Sequence, residues 1–187
     1  MKSKKFVKIR GVNNLSDARY CSGMMVNVIG FNLDTNRKDG ISIESFKAIT
    51  KWIQGPQIAG EFDDMELDLI HNYLTRIELD VIETSNPSFL APLLNSGKEI
   101  YLKINLDSIA DEKALFKKIK EGQIAHKIVI CSSGKSYDKP PLKNLRNHFK
   151  KDGQIINGFN LDLNQIDFWP AIEIIASPEG KTGYKDY

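Results

Sequence analysis

Short apolar, β-branched runs alternate along the chain with longer stretches that are apolar on one side only. Eight such runs stand out: Phe6–Arg10, Val26–Phe31, Gln57–Phe62, Leu79–Glu83, Glu99–Ile104, Lys127–Cys131, Gln154–Asn157 and Ala171–Ile175. Between them, apolar residues fall at helical spacing. Phe46, Ile49 and Ile53 share a face of Ile43–Ile53, Leu67, Ile70 and Leu74 share one of Asp64–Leu74, and Leu115 and Ile119 lie four apart in Asp111–Gly122, whose lysines face away. Asn86-Pro87 opens a fourth helix, because proline suits a first helical turn. Strands separated by single helices predict βαβ units and a parallel sheet. Periodicity leaves an open doubly wound sheet and a closed barrel equally admissible. Ser132–Lys143, with Gly134, Pro140 and Pro141, predicts a long loop, and nothing helical follows the eighth run. A barrel built this way would lack its last covering helix, leaving apolar surface beside its first and eighth strands for a second copy of the chain to cover.

Composition narrows the class. The 187 residues suit one domain spanning 1–187, and 41% apolar with 27% charged residues is a globular mixture. With 26 basic and 24 acidic residues spread evenly, no basic stripe points to nucleic acid, and Lys2, Lys4 and Lys5 read as a solvated terminus. No run approaches the roughly 18 apolar residues of a membrane span, and no signal peptide is evident, so a cytoplasmic protein is expected. Cys21 and Cys131 lack CxxC spacing and read as free thiols, while Asn14-Leu15-Ser16 matches a glycosylation sequon by chance. His71, His126 and His148 lack metal-ligand spacing, so neither metal nor cofactor is expected. Gly134-Lys135-Ser136 lacks the earlier glycine of a phosphate-binding loop.

Specific motifs favour the barrel. Val7-Lys8-Ile9-Arg10-Gly11-Val12, followed by Asp17-Ala18, resembles the opening of phosphoribosylanthranilate isomerases, whose pattern is Lys-Ile-Cys-Gly and then Asp-Ala. The resemblance continues through Val28-Ile29-Gly30-Phe31, Ile41-Ser42 and Ala59-Gly60-Glu61-Phe62, and into the tail Glu179-Gly180-Lys181 and Lys185-Asp186, so it spans nearly the whole chain. It implies a single-domain α/β fold, a (β/α)8 TIM-type barrel, from a family that converts a phosphoribosylamine to a ketose in tryptophan biosynthesis. In that reaction a cysteine base removes a sugar-carbon proton and an aspartic acid protonates the ring oxygen.

Carried over position by position, the resemblance places Arg10 where the base stands and Cys131 where the acid stands. A guanidinium stays protonated at physiological pH, and a thiol is a far weaker acid than a carboxylic acid. The phosphate loops are altered as well. Gly158 is kept, but Phe159 replaces a second glycine before Asn160, and Ala176-Ser177 stands where Ser-Ser-Gly is expected. Arg37 lies near a phosphate-side arginine position, and Glu83 falls near the end of the fourth strand.

Glu61, Glu83 and Glu173 lie in or at the ends of strands, where charge needs a partner. The expectation is a polar network joining them to Arg10, Lys8 or Lys103 in the barrel mouth. The resulting picture is a divergent isomerase-like barrel with the family reaction impaired, taking a small anionic or sugar-phosphate ligand through Lys8, Arg37, Glu83, Gly158, Asn160, Glu173 and Ser177. Two alternatives remain open at this point. One is an isomerase of a related sugar phosphate that uses Glu83 or Glu173 as base with Lys8 as electrostatic support. The other is a non-catalytic interaction protein.

Overall fold

The computed structural model describes residues 5–37, 39–132, 154–159 and 169–176. Its strands are β1 (Phe6–Arg10), β2 (Val28–Asn32), β3 (Gln57–Glu61), β4 (Val81–Thr84), β5 (Glu99–Asn105), β6 (Lys127–Cys131), β7 (Ile155–Gly158) and β8 (Ala171–Ile175). All neighbours pair in parallel, and β8 returns to β1 with Phe6 opposite Ala171 and Arg10 opposite Ile175, so the sheet closes into a barrel in strand order one to eight. The helices are α1 (Leu15–Gly23), α2 (Ile43–Thr50), α3 (Leu67–Leu74), α4 (Leu90–Leu94) and α5 (Glu112–Glu121).

Local chemistry sets where the helices begin. Asn14, Ser42 and Asp111 each accept a hydrogen bond from the backbone N–H three residues on, which satisfies donors that the first turn leaves free. Asn14, the apparent sequon asparagine, is therefore the cap of α1. The fourth helix is shorter than Asn86-Pro87 suggests: a 3-10 turn at Pro87–Phe89 precedes it, and the helix proper is five residues long. The third begins at Leu67 rather than Asp64, with Glu66 at its cap position.

Two apolar layers hold the barrel. Outside, strand residues such as Ile29, Phe31, Ile82, Leu102 and Ile130 pack under helix residues such as Phe46, Ile70, Leu93 and Leu115 in one cluster. Inside, every strand contributes to a second cluster of Val28, Ala59, Val81, Tyr101, Val129, Ile156 and Ala171, closed by Phe6. Side chains on one face of a strand recur every second residue. The inner cluster therefore fixes which residues point into the barrel one step closer to its C-terminal end: Lys8, Gly30, Glu61, Glu83, Lys103, Cys131, Gly158 and Glu173.

The expected loop beyond Ser132, the region after the eighth strand, and Asn160 and Ser177 lie outside the described residues. No helix among the described residues is long and apolar enough to cross a membrane.

Candidate functional site at the barrel mouth

The inward step above the apolar plug is charged. Lys8 Nζ lies 2.9 Å from Glu61 Oε1 and 2.8 Å from Glu83 Oε2, and it also contacts Glu173 Oε2. Lys8 and Glu83 have no exposed side-chain surface, and Glu61 and Glu173 are buried. A buried ammonium is costly unless carboxylates surround it. Burial works against the charge on Lys8, yet Glu173, Glu61 and Glu83 together outweigh it and hold its proton more tightly than water would.

The three carboxylates are not treated alike. Lys8 donates hydrogen bonds to Glu61 and Glu173, and Glu61 Oε2 also accepts from the Gly11 backbone at 3.2 Å. Glu83 meets Lys8 only as an off-axis ionic contact, and neither of its oxygens has a hydrogen-bond partner among the described residues. Burial accordingly pushes the Glu83 carboxyl up to about 7, against the pull of Lys8. The three carboxylates present oxygens within 4.8 Å of one another, a spacing that would suit a metal ion. The Lys8 ammonium already supplies positive charge to that cluster.

Glycines make room for this layer. A β-carbon on Gly30 would stand 2.1 Å from Glu61 Oε1, and one on Gly158 would stand 2.8 Å from Glu173 Oε1 and 3.2 Å from the Ile130 carbonyl. Space for a carboxylate thus accounts for Gly158 without invoking a phosphate. The next backbone N–H, that of Phe159, is turned to Asn157 Oδ1 at 3.1 Å, and its ring packs edge-on against Trp169 with centroids 5.7 Å apart.

Above the layer lies a cavity of about 260 Å³ whose walls include Arg10, Arg37, Asp63, Lys103 and Cys131. Asp63 accepts from Lys103 with both oxygens at 2.9 Å and meets Arg37 at 3.2 Å, so it neutralises much of the charge on these two cations. Arg10 is less satisfied. Its Nε is 3.6 Å from Glu173 Oε1, too far for a hydrogen bond, and Lys8 draws on the same carboxylate through Oε2. Cys131 donates weakly to the Ile104 carbonyl at 3.7 Å, and burial pushes its thiol up to about 11.

The expected network therefore exists, with Lys8 at its centre and Arg10 at its upper edge. Of the candidates read from sequence, Arg10, Arg37 and Cys131 line the cavity, while Lys8, Glu83 and Glu173 belong to the closed layer beneath it. Sequence reasoning missed Asp63 and Gly30. Extending the two-residue alternation past Glu61 reaches Asp63, and the same alternation back from Asn32 reaches Gly30. A larger cleft of about 720 Å³ opens between α2 and α3, with Lys47, Lys51 and Arg76 in its walls. Its other walls, Glu78–Asp80 and Lys98, precede β4 and β5, so it lies at the end of the barrel opposite the mouth. In such barrels ligand chemistry gathers at the C-terminal strand ends, and there the buried charges of this chain converge.

No protein-family profile matches the sequence, and no curated protein matches it significantly. Among solved structures the fold is that of phosphoribosylanthranilate isomerases. The enzyme from Thermotoga maritima aligns at 18% identity and a TM-score of 0.74 over 98% of this chain and 93% of its own. That from Pyrococcus furiosus aligns at 15% identity and 0.75 over the same shares. A glycerol uptake operon antiterminator regulatory protein from Listeria monocytogenes also shares the fold, at 13% identity and 0.63 over 97% of both chains.

Proposed function

We propose that this chain is a divergent member of the phosphoribosylanthranilate isomerase family, cytoplasmic, whose mouth binds a small anionic or sugar-phosphate ligand without carrying out the family's isomerisation efficiently. The observation that carries this reading is the state of Arg10. At the strand end where the resemblance calls for a proton acceptor stands a guanidinium that lines the cavity and, among the described residues, makes no hydrogen bond through Nε and has only a long contact to a shared carboxylate. Such a group cannot take a proton, but the part of it that lines the cavity can receive an oxyanion.

The opposite position supports the same reading. A thiol held near 11 is a poor donor to a sugar ring oxygen at neutral pH. Loss of a general acid or base costs on the order of a hundredfold to ten-thousandfold each. Glu83, with its proton affinity near neutrality, would be an attractive substitute base, but it is fully buried beneath the cavity and held by Lys8. The regulatory fold neighbour is a reminder that this barrel serves more than one purpose.

The test is turnover of phosphoribosylanthranilate by the purified protein, together with complementation of a tryptophan auxotroph. The expected result is no complementation and turnover at least about a hundredfold below an ordinary enzyme rate. Growth with near-ordinary turnover overturns the reading.

Exposed Ile174 on the outer face of β8 favours a second, compatible reading in which two copies associate beside that strand. Sedimentation showing a strict monomer at micromolar concentration would refute it.

A further inference from the structure

We propose that anion binding at the Arg10–Lys103 wall of the mouth is coupled to proton uptake by Glu83 in the layer below. This rests on the anion-binding reading of the same cavity and adds how that binding is regulated.

The geometry creates the coupling. One ammonium, that of Lys8, serves three carboxylates, and Glu83 is the one it serves without a hydrogen bond. Among the described residues, the further positive charge that Glu83 feels comes from Lys103, which faces the cavity. Lys103, on the neighbouring strand, has Glu83 as its largest charged partner and reaches Asp63 from the cavity wall, while Arg10 feels Glu83 beyond Glu173. An anion seated on Arg10 and Lys103 would offset the charge of Arg10 and what Asp63 leaves uncompensated on Lys103, and would place negative charge above a carboxylate that water does not reach. The ionised form of Glu83 is then disfavoured, and the site takes up a proton with the ligand.

Among the described residues, the cationic, phenolic and thiol groups around Glu83 keep their protons through neutrality. Its charged and titratable neighbours are Lys8 and Arg10 on β1, Glu61 on β3, Asp63 just after it, Tyr101 and Lys103 on β5, Cys131 on β6 and Glu173 on β8; β2 and β7 place Gly30 and Gly158 in this layer. Lys8, Arg10 and Lys103 hold their protons more tightly than usual, and burial pushes Tyr101 and Cys131 up, beyond the neutral range. Glu83, at about 7, is the buried group poised to respond.

Sulfate is a suitable probe because its own charge does not change around neutrality. A charge placed roughly 6–8 Å away at an effective dielectric near 20 moves a buried carboxyl by about one unit or more. Titration calorimetry of the whole chain with sulfate near pH 7.5, in two buffers of different ionisation enthalpy, should therefore register uptake of about half a proton. Affinity should rise about tenfold from pH 9 to pH 6. In Glu83→Gln the uptake and the pH dependence should both vanish. Sulfate binding with no buffer-dependent heat in the wild-type protein overturns the coupling alone, whether or not the variant folds, and uptake that persists in a folded Glu83→Gln overturns the assignment to Glu83. Absence of sulfate binding up to tens of millimolar at every pH overturns the anion-binding reading and the coupling with it.

Discussion

Lys8 Nζ and Glu83 Oε2 stand 2.8 Å apart with neither side chain exposed, so the barrel interior holds a charge pair that water cannot screen. The same ammonium also contacts Glu61 and Glu173. Replacing Lys8 by Met would keep much of the volume and strand three buried carboxylates without their central cation. Removing one partner from a buried ionic cluster typically costs about 3–5 kcal/mol. Urea unfolding of Lys8→Met at pH 7.5 should show a loss of that order, and a loss below about 1 kcal/mol would mean that the layer is not held together by charge.

Glu83 gives stability a pH dependence of defined sign. Its carboxyl is raised from 4.5 to about 7, so between those values the folded protein keeps a proton that the unfolded chain has released. The contribution is fully present below the unfolded value and is lost as pH rises through about 7. A difference of two and a half units corresponds to about 3 kcal/mol. Glu83→Gln has no such proton to lose. The stability of wild type minus that of the variant should thus fall by up to about 3 kcal/mol between pH 5 and pH 8, measured by urea unfolding in steps of pH. Parallel profiles would contradict the assignment.

Gly30 tests the packing of the same layer. A methyl there would meet the tip of Glu61 at 2.1 Å and the Ile9 carbonyl at 3.3 Å. Overpacking of this kind costs about 1–3 kcal/mol. Gly30→Ala should be destabilising in the wild-type background and distinctly less so when combined with Glu61→Ala, which empties the contested space. Additive losses in the double-mutant cycle would show that the two side chains do not compete.

These charges were only partly readable in advance, and the reason is geometrical. β1, β6 and β8 match their sequence runs end to end, because their outward-facing Ile and Val, with Phe6, Val129 and Ala171 inside, make each run stand out even though Lys8 and Glu173 also face inward. α1 gave no comparable signal, since the residues it buries are Asp17, Ala18 and Cys21, which hardly stand out from its polar side. In the mouth, Glu61, Glu83 and Glu173 were conspicuous as charges in strands, and Arg10 as a departure from a familiar motif. Their order could not be read, because only closure of β8 on β1 brings Glu173 beside Lys8, 165 positions away. Motif comparison drew the eye to Arg10, whereas closure makes Lys8 the hub. Asp63 stayed hidden because it lies two residues past a strand end, where alternation is not assumed to persist.

Arg10 should matter for ligand more than for folding. Its contact with Glu173 is 3.6 Å long and makes no hydrogen bond, so Arg10→Met, which keeps the apolar stem, should cost less than the loss of about 3–5 kcal/mol expected for Lys8→Met. A lost charge-assisted hydrogen bond weakens binding by roughly tenfold to a hundredfold. Sulfate titration of Arg10→Met, read beside its urea midpoint, should show weak binding with a midpoint shifted less than that of Lys8→Met. Unchanged affinity would remove Arg10 from the anion site.

Cys131 offers a separate test of the mouth's chemistry. It lines the cavity, yet burial pushes its thiol up to about 11, with Lys103 only partly offsetting this. Alkylation proceeds through the thiolate, whose population at pH 8 would be roughly a hundredfold lower than for a thiol with its usual value near 9. Iodoacetamide should therefore modify Cys131 in the folded protein about a hundredfold more slowly than in urea, with a rate that keeps rising through pH 10. Mass spectrometry of the peptide carrying Cys131 separates it from Cys21, which is also buried. Rapid labelling that levels off below pH 8 would instead reveal an activated thiolate beside Arg10, restoring Cys131 as a candidate nucleophile and removing the ground for treating the acid position as chemically silent.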